Sequence, residues 1–190
     1  MSADDPAPVR AFLPVAPDDP AERPVVHRTA VRVILVDEVD RVLLFADSDP
    51  LLPEFAWWVT PGGGIDRGET EREAAVRELR EETGCVVAET DLAGPIASRR
   101  AVHGYSDQVI NQYETFYAVQ VPAFEVDVAG HTEEEKVTLT RHRWWSRAEL
   151  ISTDAWLWPK ELVRLWDLLE QPAAWPVELG EVTDESTRPV

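Results

Sequence analysis

The sequence predicts an α/β fold, and three observations carry that expectation. Apolar, β-branched runs at 29–36 and 41–46 precede a stretch rich in helix formers at 71–83. Further strand-like runs follow at 96–102 and 108–121. A second helical stripe comes late, at 159–170. Strands on both sides of a central helix, with another helix near the end, predict helices packed on a sheet.

Residues 1–24 carry six prolines, five acids and two basic residues, which predicts an extended N-terminal arm over 1–26, with some apolar character at 9–15. TAVRVILV (29–36) and RVLLFA (41–46), joined by turn residues Asp37–Asp40, predict a hairpin. The segment 47–54, DSDPLLPE, reads as a proline-punctuated loop, and FAWWVT (55–60) as a short strand. Thr70 followed by Glu73 matches the capping box, so a helix starts near 71, and Gly84 suits its left-handed end. Strands are then predicted at 85–87, 96–102 and 108–121. In the last, Val109, Tyr113, Tyr117, Val119 and Val121 lie on one face, in near-alternation with the more polar Gln112, Glu114 and Gln120. Residues 126–135 read as an acidic loop, 137–145 as a final strand and 146–150 as the start of a short helix. Pro159 opens a helix with Leu162, Leu165, Trp166 and Leu169 on one stripe. The domain is expected over 27–172, with 173–190 an acidic tail without regular structure.

Composition narrows the partners. The chain has 190 residues, 44% of them hydrophobic, which suits one domain with extensions. Its net charge of −18 disfavours nucleic-acid backbones and anionic membranes, so neither is an expected partner. A small phosphorylated ligand stays compatible, because a cation and a few arginines can reverse the field inside a cleft. The lone cysteine, Cys85, excludes an internal disulfide or a cysteine-based zinc cluster. Without a recognisable signal peptide or an apolar run long enough to span a bilayer, a cytoplasmic location is the default expectation.

The densest chemistry lies at 62–85, GGGIDRGETEREAAVRELREETGC. Five residues separate Gly63 from Glu69, and seven separate Glu69 from Arg77. Glu78, Leu79, Glu81, Glu82 and Gly84 follow in order. On the predicted helix, Glu78, Glu81 and Glu82 share one side. Crowded carboxylates raise one another's pKa, and a hard divalent cation such as Mg²⁺ relieves that conflict. This ladder resembles the Nudix box, G-x5-E-x7-R-E-U-x-E-E-x-G-U, where U is a bulky apolar residue. Every charged and glycine position agrees, and Cys85 stands where an aliphatic residue is usual. Trp145 with Glu149-Leu150 resembles the usual close of the same family's domain.

The resemblance implies an α/β/α sandwich around a mixed sheet and a Mg²⁺-dependent pyrophosphohydrolase, with Mn²⁺ as a substitute ion. It implies that Glu78, Glu81 and Glu82 are metal ligands, joined by the Gly63 carbonyl, and that Glu69 and Arg77 hold loop and helix together. The base that activates water is left between Glu81 and an acid of the later loop, Glu133, Glu134 or Glu135. Outside the box, Arg99 and Arg100 are candidates for a phosphate. Trp57 and Trp58 suit either base stacking or the core, with Trp58 and Glu134 carried as substrate-side candidates. The expected substrate is a small nucleotide, a nucleoside diphosphate linked to another moiety, with nucleoside triphosphates favoured. The proline that marks ADP-ribose activity in some relatives is Ala101 here. The alternative is a non-catalytic Nudix-fold nucleotide-binding module, which the intact set of box glutamates argues against. A structural protein using the aromatic C-terminal half would show no response to metal. Trp156, Trp158 and Trp175 suit a homodimer interface or a core equally.

Overall fold

Strand β1 (Val25–Val36) becomes buried on both faces from Ala30 onward, which is why its sequence reads as a nearly unbroken apolar run. The structure is a computed structural model and describes residues 19–49 and 51–190. Most of the expected N-terminal arm, residues 1–18, lies outside the described residues. Asp37 turns the chain into β2 (Arg41–Asp49): its carboxylate accepts from the amides of Val39 and Arg41 at 3.1 and 2.8 Å and from Arg41 Nε at 2.8 Å. The predicted hairpin is therefore present, with Val36 opposite Val42. β2 does not stop at Ala46. It runs on and pairs with β3 (Leu52–Val59), Asp47 opposite Trp57 and Ser48 opposite Ala56. Asp and Ser are weak strand formers by themselves, but distant partners hold them here: Asp49 accepts from Ser106 and Thr187, and Ser48 donates to the Thr138 carbonyl.

Helix α1 (Glu71–Thr83) begins and ends where its caps predict. Thr70 Oγ1 accepts from the Glu73 amide, Glu73 accepts from the Thr70 amide, and Gly84 takes the left-handed conformation with φ 73°. The expected strand at 85–87 is absent, because Cys85 turns inward against the core immediately after that cap. β4 (Ala93–Gly104) and β5 (Val109–Gln120) are antiparallel, and β5 runs parallel to β1 along its whole length. α2 (Glu135–Thr138) replaces the start of the strand expected at 137. Thr132 and Glu135 cap each other there, a signature the sequence reading passed over. β6 (Arg141–Ser146) follows, then α3 (Arg147–Ser152), capped by Ser146 and Glu149, then β7 (Trp156–Trp158) and α4 (Leu162–Leu168). The inward stripe of α4 is Leu162, Leu165 and Leu168, with Trp166 and Leu169 only partly covered. The C-terminal segment was expected to lack regular structure. Instead it forms β8 (Val177–Val182), parallel to β4.

The strands form a mixed, curled sheet in the order β7-β3-β2-β1-β5-β4-β8, with β6 also on β2. Alternate β1 residues enter two cores. Val31, Val33 and Leu35 meet Ala74, Ala75 and Leu79 of α1; Ile34 and Val36 meet Leu150, Leu162 and Leu165 on the other side. Full burial of Leu79 contributes about 1.5–3 kcal/mol to pinning α1 on the sheet. Trp57 stacks on Trp158 at 4.0 Å inside the first core, whereas Trp156 remains exposed. No helix among the described residues is long and apolar enough to cross a membrane.

Candidate active site

The loop before α1 is stitched to β1. Val33 donates to the Pro61 carbonyl at 2.8 Å, Val31 to Gly63 at 2.9 Å, and Ile65 donates to Thr29 at 3.1 Å. Two glycines make that approach feasible. Gly62 has φ 133°, and a Cβ there would collide with the Val31 carbonyl. A Cβ on Gly63 would sit 2.6 Å from Glu78 Oε1, so the missing side chain is the space the Glu78 carboxylate fills.

Arg77 fastens loop to helix. It grips Glu69 with two bonds, at 2.8 and 2.9 Å, reaches the Gly64 carbonyl at 2.9 Å, and touches Glu78 at 2.8 Å and Glu81 at 3.1 Å. The hydrogen bonds from Arg77 hold Glu69 below the usual carboxylate range.

The acids divide differently from the sequence expectation. At about 100° per residue, Glu82 stands about 40° round the helix from Glu78 on one side and Glu81 about 60° on the other. Glu78 and Glu82 are buried under the loop, and the fold brings Glu135 of α2 to them, with one carboxylate oxygen of each within 4.8 Å of the others. Glu81 stays outside this trio, 37% exposed and paired with Arg77. Burial lifts Glu78 to about 7, despite Arg77 beside it. Burial and the Glu78 charge push Glu82 well above its ordinary value, although the Gly62 amide donates to it at 2.9 Å. Three close carboxylate oxygens, two of them on buried acids pushed toward neutrality, are a donor set that fits a hard divalent cation. The Gly63 carbonyl lies in the same loop and is already engaged by Val31.

These groups line one wall of a cleft of about 510 Å³. Glu134 lies along it too, whereas Glu133 points outward and pairs with Lys136. The same cleft is lined by two arginines that the sequence reading missed. Arg32 donates to the Gly62 carbonyl at 2.8 Å and to Glu114 at 3.1 Å. Arg28 is exposed to the cleft, with Nε held by Gln112 at 2.8 Å. A signal for them existed: positions 28 and 32 fall on one face of an alternating strand.

Two substrate-side expectations need correction. Arg99 is 1% exposed and enclosed by Glu114, Glu185 and Glu161, so it has no free edge for a phosphate. Trp58 packs against the second core, edge-on to Trp145 at 5.0 Å, and is not among the residues that line the cleft. Arg100 pairs with Glu181 at the surface.

Residues 26–166 match the family profile of the NUDIX domain. The chain belongs to the Nudix family. An RNA pyrophosphohydrolase of Dinoroseobacter shibae is 42% identical over 78 residues, 41% of this chain and 46% of that protein. A putative 8-oxo-dGTP diphosphatase of Bacillus subtilis is 46% identical over 52 residues, 27% of this chain and 32% of that one. The Nudix chain thus spans less than half the length of these curated relatives. The NUDIX domain of Shewanella oneidensis NrtR, solved with ADP ribose, superposes with a TM-score of 0.57 at 17% identity, covering 77% of this chain and 90% of that one. A MutT protein of Bacillus halodurans gives 0.54 at 19%, covering 83% and 92%. Both likenesses show the fold.

Proposed function

We propose that this Nudix protein is a Mg²⁺-dependent pyrophosphohydrolase that cleaves a nucleoside diphosphate linked to another moiety, with water attacking a phosphorus. The observation that carries this reading is a single cleft lined by both kinds of group, the carboxylates Glu78, Glu82 and Glu135 and the guanidiniums Arg28 and Arg32. Glu78 and Glu82, with Glu135, would hold the cation. When bound, it would neutralise phosphate charge and lower the pKa of water. Arg28 would orient a phosphate with the two guanidinium nitrogens that Gln112 leaves open. Arg32 would hold the glycine loop at the height where its backbone meets the phosphates. Glu81, accessible and tethered by Arg77, or Glu134, which lines the cleft, would take the proton from water.

Proton linkage gives a first test. Glu78 ordinarily titrates near 4.5, and the folded metal-free protein raises it to about 7. Stability from that bound proton is present at acid pH and is lost as pH rises through the raised value. Glu78 would have to give up that proton to hold a cation. The rise in melting temperature caused by Mg²⁺ should therefore be small near pH 5.5 and grow toward about pH 8. His103, which burial shifts down, contributes with the opposite sign but equally with and without Mg²⁺, so it cancels from the difference. A Mg²⁺ effect that is flat in pH, or missing, counts against the cation site.

The reaction itself is tested with a nucleotide panel and Mg²⁺, products being resolved by chromatography. The panel takes in ordinary and oxidised nucleoside triphosphates, ADP-ribose, dinucleoside polyphosphates, coenzyme A and a short 5′-triphosphorylated RNA. We expect at least one to be split at a phosphoanhydride, with nucleoside triphosphates fastest. An intact panel with Mg²⁺ or Mn²⁺ would reject the enzyme reading in favour of a binding module.

A further inference from the structure

Residues 167–190 lie beyond the stretch that matches the family, yet they insert a buried acid behind the cleft. Glu185 is 2% exposed. Its carboxylate accepts both terminal nitrogens of Arg99 at 2.8 Å and the Lys160 amide at 2.8 Å. The segment around it is fixed by main-chain bonds from Thr187 and Arg188 to the Gly104 carbonyl.

The contacts continue inward without a break. Arg99 Nε donates to one oxygen of Glu114 at 2.5 Å. The other Glu114 oxygen accepts Arg32 Nε at 3.1 Å and Gln112 Nε2 at 2.8 Å. Gln112 in turn holds Arg28, and Arg32 holds the Gly62 carbonyl, whose own residue's amide bonds Glu82. Glu114 is thus a hub between one arginine behind the site and two arginines on its wall. Three arginine charges meet one carboxylate in the hub, and Glu185 and Glu161, both on Arg99, supply the two that balance them.

We propose that Glu185 is a positioning residue for the phosphate-binding wall, and that the C-terminal segment is an inserted part of the active site. The proposal rests on the pyrophosphate reading of the cleft. With Glu185 in place, Arg99 is satisfied from behind, and Glu114 keeps an oxygen for Arg32 and Gln112. With a neutral residue there, buried Arg99 keeps only the longer contact to Glu161 at 3.3 Å and draws on Glu114 from its side, and the hold on Arg32 and Arg28 loosens.

The test uses the full chain, with imidodiphosphate as an uncleaved pyrophosphate probe, titrated calorimetrically in Mg²⁺. We expect Glu185→Gln to weaken its binding about tenfold, the lower end for residues that orient a site from behind, and Glu185→Asp to fall between. Asp184→Asn, which breaks the exposed pair with Lys160 in the same segment, should leave the affinity unchanged. A purely structural Glu185 would lower the melting temperature and leave probe affinity in the folded variant untouched, and that result overturns the proposal. Should Glu185→Gln not fold, Glu185→Asp decides: weaker binding supports the relay, and wild-type binding rejects it. A wild-type protein that does not bind the probe brings down the pyrophosphate reading and the relay with it. Tight wild-type binding with an equally tight Glu185→Gln brings down the relay alone.

Discussion

Glu82→Gln should cut turnover by about a hundredfold or more while leaving the fold standing. Residues that merely orient a metal ligand cost about 10–100-fold when changed, and a ligand itself should cost no less. The substitution keeps shape and one acceptor oxygen, so the Gly62 amide still has a partner. It removes a charge that burial and Glu78 already disfavour, so the metal-free variant should melt no lower than wild type. Steady-state turnover and melting in EDTA check the two halves separately. Wild-type turnover in a folded variant would remove Glu82 from the reaction.

Arg99→Met should destabilise the protein by about 3–5 kcal/mol, the usual cost of leaving buried partners of an ion pair uncompensated. Glu114 and Glu185 would remain, with side chains 2% and 3% exposed and no Arg99 between them. For a chain of this size that is a fall in melting temperature of roughly 10 °C. In the wild type, burial alone would raise Glu114, but Arg99 and Arg32 outweigh it and hold the carboxyl down to about 2. That lowered value stabilises the fold above the ordinary carboxylate range and is lost as pH falls. The deficit of the variant should accordingly narrow in acid, where the stranded carboxylates take up protons. Urea unfolding at two pH values measures both effects, and a loss below about 1 kcal/mol would show that the network is not holding the fold.

Legibility in the sequence followed the range of the interactions. The capped helix, the glycine loop and the Glu69–Arg77 bracket depend on residues a few positions apart, so spacing alone predicts them. The α/β layering follows from apolar alternation, and β1 reads as unbroken because both its faces are covered. The acid trio was only half legible. Glu78 and Glu82 sit a helical turn apart, whereas Glu135 arrives from a segment more than fifty residues on. Position along the chain also hides what a charge faces. Arg99 and Arg28 both stand on strands in an acidic chain; one is enclosed by three carboxylates and the other opens on the cleft. Likewise, Gln112 and Glu114 are polar residues alternating with the apolar ones of β5, and polarity alone does not show that they are covered. They are buried because Arg28, Arg32 and Arg99 converge on them, and Tyr113 is the residue left outside. The tail at 177–182 looked unstructured because its pattern is short and acidic, and its order comes from the edge of β4 and from Arg99.

Water attacks a phosphorus, on the proposed reading, in the cleft lined by Glu78, Glu82, Glu135 and the two arginines. The most direct test is hydrolysis of the best panel substrate in ¹⁸O-labelled water, with wild type and Glu82→Gln compared at matched Mg²⁺. The account predicts one labelled oxygen, on a phosphate of one product only, formed by the wild type with Mg²⁺ and nearly absent in its absence or in the variant. Label bonded to carbon, or the same labelled phosphate at wild-type rate from Glu82→Gln or without any divalent cation, would contradict it.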